Sequence, residues 1–224
     1  MGTQSISKQA LQRLPVYLNY LNALPEVKPA NISATAIAEA LHLHDVQVRK
    51  DLAIVSSGGR PKVGYVTQNL IDDLRRFLGY DNADNAVIVG AGNIGRALLQ
   101  YDGFGDYGLN IVAAFDNDPS LVGRPINGKG VFPVEKLENL CGRLKIRIGI
   151  IAVPAEAAQS VCDALIRGGV MAIWNFTQTH LNVPEHVLVQ NENMAASLAL
   201  LSKHLSEQMH RQPDPLSERP VLAK

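Results

Sequence analysis

Two kinds of hydrophobic pattern divide the chain. Up to about residue 80, apolar residues recur every three or four positions, the spacing of one helix face. Leu11, Leu14, Leu18 and Leu21 mark a first helix within 6–24, with Tyr17 and Tyr20 beside them and Pro15 where the helix starts or kinks. PEVKPAN (25–31) is a loop. Ser33 offers an N-cap to ATAIAEAL, whose Ile37, Ala38 and Leu41 face one side. The turn His42-Leu43-His44 leads to Asp45, a second N-cap, and then to VQVRKDLAIV. A turn-rich tip (56–62) and a strand (63–66) follow. TQNLIDDLRRFL (67–78) is helical again, with Thr67 as its cap, Gly79 as its stop and a polar linker after it (80–85).

From residue 86 the rhythm changes. The runs AVIVG, IVAAFD, IRIGIIAVP and VMAIWNF alternate with the helical segments GRALLQY, PVEKLENL and AEAAQSVCDALIRGG. Unbroken apolar runs suit parallel strands buried on both faces. Their alternation with helices predicts an α/β doubly wound parallel sheet of the Rossmann type. Residues 195–209, with Leu198, Leu201 and Leu205, form one more amphipathic helix. From His210 onward the chain is polar and proline-bearing, and loose order is expected there. The domains expected are therefore 1–80, 81–193, a helix at 194–209 and a flexible tail at 210–224.

Composition narrows the partners. With 224 residues, 46% of them hydrophobic, the chain can build two small cores. Its 21 basic and 21 acidic residues argue against a disordered or polybasic protein. The balance is uneven, however: residues 1–80 carry net +3 and the remainder net −3. The positive end is where a nucleic-acid reader would use it. No segment approaches the ~18 apolar residues of a membrane span, and MGTQSISKQALQRLP lacks the apolar core of a secretory signal. Cys141 and Cys162, the two cysteines, are too few for a disulfide framework or a CxxC metal site and read as buried structural thiols. No metal site and a cytoplasmic location are expected.

Two motifs carry chemistry. Three helical segments, the last two joined by a tight turn and followed by a glycine-tipped hairpin, describe a winged helix-turn-helix. Its second turn helix enters the major groove. That helix would start at Asp45 and present Gln47, Arg49 and Lys50, one basic residue toward guanine edges and one toward phosphate. Asp51 beside them would repel phosphate and pairs instead with an internal basic residue. Arg60 and Lys62 on the wing tip would reach the backbone or minor groove. The second motif is Gly90-Ala91-Gly92-Asn93-Ile94-Gly95, which follows a strand and opens a helix at 96–101. Its first glycine allows the turn, its second the approach of pyrophosphate, and its third close helix packing. The next strand ends in Asp116, placed to take ribose hydroxyls and to oppose a 2′-phosphate, which favours NAD(H) over NADP(H). Val153 and Pro154, and Asn175 with Phe176, also lie at strand C-termini, the ligand-binding edge. Asn175 would meet a carboxamide and Phe176 a ring.

Catalysis is not expected. Residues 86–176 are consumed by the nucleotide fold, and a hydride-transfer enzyme needs a substrate pocket with an acid or base. His180 is the one candidate, in a loop. The dinucleotide therefore reads as a signal.

RLPVYL (13–18), VRKDL (48–52), VGY (63–65), VGAGNIGRALLQY (89–101), AAFDNDP (113–119), IAVPAEAAQSVCDALIRGG (151–169) and NFTQTHLNVPEHV (175–187) together resemble the Rex family of redox-sensing transcriptional repressors. The resemblance implies a homodimer of winged-helix and Rossmann domains with a swapped C-terminal helix, here 194–209. It implies operator binding when NADH is low and release when NADH, in competition with NAD+, is bound. Residues 90–95 and Asp116 would then hold adenosine and pyrophosphate, with Val153, Pro154 and Asn175 toward the nicotinamide and Arg49 and Lys50 on the recognition helix. The sequence departs from the family in its wing, VSSGGRPKVGY (55–65), and in Asn19 and Asn193, where members carry an Arg and an Asp that pair between subunits. Two alternatives stay open: a DNA-binding protein in which NAD(H) stabilises the dimer without switching it, and a small NAD-dependent oxidoreductase.

Overall fold

The computed structural model describes residues 6–211 apart from 26 and 83. The chain divides into two compact units, Met1–Asp84 with Tyr101–Asn110, and Asn85–Gln100 with Ile111–Lys224. The first takes in a piece of chain beyond the expected boundary at residue 80. That piece holds a 3-10 turn, Asp102–Tyr107, whose Tyr107 ring meets Tyr80 edge-on at 5.3 Å.

The first unit runs α1 (Lys8–Asn22), β1 (Asn31–Ile32), α2 (Ala34–Ala40), α3 (Asp45–Val55), β2 (Tyr65–Val66) and α4 (Thr67–Leu78). Leu14, Leu18 and Leu21 of α1 pack with Ile37, Val48, Leu52, Leu70 and Leu74 in one buried core. Pro15 sits inside α1 without ending it. Ser33 caps α2 as expected, accepting from the Ala36 N–H at 3.0 Å. Gly79 closes α4 in the left-handed conformation, φ 76°.

Two capping expectations are corrected. Asp45 is the first helical residue of α3, after His44; its Oδ1 accepts from the Val46 N–H at 2.7 Å, and its charge suits the positive end of the helix. Thr67 likewise opens α4, after Val66, and its hydroxyl donates to the Pro29 carbonyl. The strand expected at 63–66 shortens to Tyr65–Val66, because residues 60–64 form the wing's turn. It pairs antiparallel with Asn31 and Ile32, so Asn31 leaves the loop assigned to it.

The second unit carries a six-stranded sheet. Its elements are β3 (Asp84–Val89), α5 (Asn93–Gln100), β4 (Leu109–Asp116), β5 (Gly130–Pro133), α6 (Leu137–Leu144), β6 (Ile148–Ile151), α7 (Ala155–Arg167), β7 (Ala172–Asn175), β8 (Leu188–Asn191) and α8 (Met194–Arg211). The order is β5-β4-β3-β6-β7-β8, the dinucleotide-fold order with its switch point beside β3. The pairs β4–β5, β3–β6, β6–β7 and β7–β8 are parallel. Val87, Val89, Phe115, Ile151, Leu165 and Ile173 form the core between sheet and helices. Cys141 and Cys162 are buried in it, and that burial pushes both thiols up to about 11.

Several boundaries differ from the sequence reading. The glycine-loop helix starts at Asn93, not 96, and ends at Gln100. Asp84 and Asn85 belong to β3 and not to a linker. β5 and β8 fall in segments without a strand signal, each four residues long. α8 extends one residue earlier and two later than 195–209, so His210 and Arg211 are helical. The remainder of the expected tail, 212–224, lies outside the described residues. Met194, Leu198, Leu201, Leu205 and Met209 of α8 are all more than half exposed. Among the described residues no helix is long and apolar enough to cross a membrane, and no cluster of three or more His, Cys, Asp or Glu could hold a metal.

Candidate functional site

The second unit builds a phosphate cradle from backbone. Gly90 leaves β3 at φ 98°, and a Cβ there would collide with the Ala152 carbonyl. A Cβ at Gly95 would overlap the Gly90 carbonyl, so only glycine brings the first turn of α5 against the strand end. Gly92 differs: a Cβ there would meet nothing within 4 Å. The space above Gly92 is open, and Gly92, Asn93 and Ile94 are exposed to it. Ala91 is buried, and its N–H donates to Asp116 Oδ2 at 2.7 Å. The other Asp116 oxygen accepts from the Asp118 N–H at 2.9 Å. A carboxylate has about four acceptor positions, so both oxygens keep capacity for hydroxyls. The hydrogen bond to Ala91 also holds the acid against the loop it serves.

A cavity of about 260 Å³ opens next to this pair, and its walls include Gly90, Asp116, Val134, Val153, Pro154 and Ala157. An apolar slot with one carboxylate at its edge fits a purine and its ribose, and the exposed helix N-terminus beside Gly92 fits a pyrophosphate. NAD(H) therefore suits the residues present, and it would supply redox state as a signal when bound. Val153 and Pro154, which the resemblance placed toward the nicotinamide, line the same cavity as Asp116. Asn175 is not in those walls. It is fully buried, and its amide donates to the Thr179 carbonyl (3.0 Å) and Asn191 Oδ1 (2.8 Å) while its oxygen accepts from the Thr177 N–H and hydroxyl. Those hydrogen bonds engage both ends of the amide that was expected to meet a carboxamide, and they tie the end of β7 to β8. Phe176 packs on Trp174 at 4.8 Å.

The first unit presents side chains instead. Arg49, Arg60 and Lys62 come together around a cleft of about 490 Å³ between α3, the start of α2 and the wing, with Ser33, Thr35 and Tyr65. The wing is pinned by Arg60–Gly64 backbone hydrogen bonds at 2.9 Å in each direction. Lys62 takes a left-handed φ of 64° at its tip. Arg49 is held by Asp45 at 3.2 Å, one turn earlier. Lys50 is exposed on α3 outside that cleft. Gln47 is half-buried on the other flank of the helix.

The internal partner expected for Asp51 is Arg13. Arg13 Nε and Nη2 grip the Asp51 oxygens at 2.8 and 2.9 Å, and the Tyr17 hydroxyl donates to Asp51 at 2.8 Å. Burial, and then the hydrogen bond to Asp51, push the Tyr17 phenol up to about 12. Neither Arg13 nor Tyr17 was singled out from the sequence as a partner. They lie 38 and 34 residues from Asp51, and no short motif links them. Asn19 accepts from the Tyr107 hydroxyl at 3.4 Å, and Asn193 caps α8 by accepting from the Ala196 N–H at 2.9 Å.

A winged DNA-reading unit joined to a dinucleotide fold defines a class: DNA-binding regulators that answer to a nucleotide. Residues 5–53 match a family of DNA-binding protein N-termini and residues 81–179 match the CoA binding domain family. The redox-sensing transcriptional repressor Rex of Treponema denticola is 41% identical over 192 residues, covering 86% of this chain and 91% of its own length. That of Carboxydothermus hydrogenoformans is 41% identical over 197 residues, 88% and 95% of the two chains. Among solved structures, the Rex-family repressor RSP in complex with β-NAD+ and operator DNA superposes with TM-score 0.85 at 35% identity, covering 92% of this chain and 95% of that one. RSP with β-NADH gives TM-score 0.81, again at 35% identity, covering 91% and 96%. The chain belongs to the Rex family of redox-sensing transcriptional repressors.

Proposed function

We propose that this chain is a repressor that binds operator DNA when the NADH/NAD+ ratio is low and releases it when NADH occupies the glycine loop. One observation carries the reading: the open cradle over Gly92, with Asp116 fixed at its edge, shares a chain with the basic cleft of Arg49, Arg60 and Lys62. Relatives captured with NADH, and with NAD+ and operator DNA, support carrying both ligands over. Residues 90–95 would cradle the pyrophosphate, Asp116 would take the adenosine ribose, and Val134, Val153, Pro154 and Ala157 would enclose the base. Arg49, Lys50, Arg60 and Lys62 would meet the operator. The exposed apolar side chains of α8 support a homodimer closed by that helix. The working compartment is the cytoplasm, and the nucleotide is a signal with no turnover.

NADH acts by binding two dimer shapes unequally. A 100-fold effect on operator affinity corresponds to about 2.7 kcal/mol of coupling, within the ordinary allosteric range. The test is operator binding by the full chain across NADH/NAD+ mixtures. Affinity is expected to fall as NADH replaces NAD+; equal affinity at every ratio, with NADH binding demonstrated, would overturn the switch.

A further inference from the structure

The flank of α3 that faces α1 is organised around one guanidinium. Val48, Asp51 and Leu52 point into the core, and Gln47 stands beside them at the rim, half-buried. Arg13 is fixed by the Asp51 carboxylate through two hydrogen bonds of 2.8 and 2.9 Å, and Asp51 itself is 4% exposed. With its direction thus set, the guanidinium turns its remaining donors toward Gln47. In the amide orientation those donors dictate, Gln47 Oε1 accepts from Arg13 Nη1 at 2.9 Å and Nη2 at 3.2 Å. The reverse orientation would press the amide NH2 of Gln47 against cationic N–H groups, donors against donors.

A glutamine that reads adenine uses both ends of its amide, accepting from N6 and donating to N7. Here the accepting end is engaged inside the protein. We propose that Gln47 reads the operator as a donor only, through its Nε2 hydrogens, to an acceptor on the DNA. Guanine presents two such acceptors side by side, N7 and O6, and the phosphate oxygens are charged. Adenine N7 stands beside a donor and thymine O4 beside a methyl, so the acceptor is assigned to guanine or to phosphate. Arg13 is then a positioning residue, two removes from the DNA, that sets the sign of the hydrogen bond Gln47 makes. The inference rests on reading α3 as the recognition helix.

The experiment uses the full chain without NADH and an operator selected by the wild type from random duplexes. Gln47→Glu keeps an acceptor toward Arg13 and replaces the outward donor with a carboxylate oxygen. Its operator affinity is expected to drop at least tenfold while its thermal midpoint stays level or rises. Wild type and Gln47→Ala are then compared on operators carrying single replacements: 7-deazaguanine for guanine, purine for adenine, and methylphosphonate for phosphate. The wild type is expected to lose affinity at one 7-deazaguanine or one methylphosphonate to which Gln47→Ala is indifferent; which of the two identifies the acceptor. Full-strength binding by Gln47→Glu would overturn the proposal. So would a Gln47-dependent loss at purine-for-adenine, since that requires the amide to accept. A wild type that selects no sequence would overturn the recognition-helix reading as well, and so stands apart from both results.

Discussion

The two units prepare for their ligands with different materials. In the second, the grip is backbone: Gly90 and Gly95 let strand and helix meet, Gly92 leaves room, and a single side chain, Asp116, ties down the loop. In the first, the grip is side chains held by other side chains: Arg49 by Asp45, and Gln47 by Arg13, which is held in turn by Asp51. A backbone cradle is fixed by local conformation and tolerates almost no substitution at two of its glycines. A side-chain surface depends on contacts distant in sequence, and it can be re-aimed one residue at a time. A diphosphate is the same in every dinucleotide, whereas an operator is one sequence among many, so the division fits the two tasks.

Substitutions at the three glycines would separate space from strain, and they give the largest effects. Gly95→Val places a side chain into the Gly90 carbonyl, and we expect the second unit to lose its cooperative thermal transition and all NADH binding. Gly92→Val meets open space in the protein, so its thermal midpoint should stay within a degree or two of wild type. Its NADH affinity, measured by nucleotide fluorescence, should fall about 100-fold or more, because the added methyls stand where the pyrophosphate approaches. A large stability loss in Gly92→Val would mean that the space over it is not a ligand's.

In the first unit, Arg13→Met leaves the Asp51 carboxylate buried without its fork. Denaturant unfolding should show a loss of about 3 kcal/mol, the usual cost of stranding one partner of a buried pair. NADH binding to the second unit should be untouched. Tyr17→Phe is the mildest change, costing about 1 kcal/mol through one lost hydrogen bond. It should also alter the alkaline limb of the stability profile. The folded-state phenol ionises at about 12 against an ordinary 10, so its contribution is complete below pH 10 and is lost as pH rises through 12. Stability measured from pH 9 to 12 should therefore fall less steeply in Tyr17→Phe than in wild type.

The same contrast governs what can be read from the chain itself. The cradle is legible because its requirements are local: three glycines at fixed spacing between a strand and a helix, and an acid one strand later. Asp116 was singled out this way, and the internal pairing of Asp51 was expected from its charge alone. The partners of Asp51 were not legible, because Arg13 and Tyr17 sit a whole helix away and look like ordinary members of an amphipathic pattern. Asn175 shows the limit of a local view. A polar residue at a strand C-terminus suggests a ligand, but only the packed fold shows Thr177, Thr179 and Asn191 satisfying its amide. β5 and β8 escaped because GVFP and LVQN are broken by glycine, proline or polar residues, whereas β6 and β7, equally short, lie within longer apolar runs. Asp45 and Thr67 were each placed one position early, since a cap and a first helical residue favour the same side chains.

In the proposed switch, occupancy of the glycine loop controls how tightly the DNA-binding unit holds its operator. Gly92→Val tests it most directly, in operator titrations with and without NADH at a concentration that saturates the wild type. The variant should bind operator as the wild type does without nucleotide, and NADH should release the wild type but not the variant. Release of the variant by NADH as complete as that of the wild type would contradict the switch.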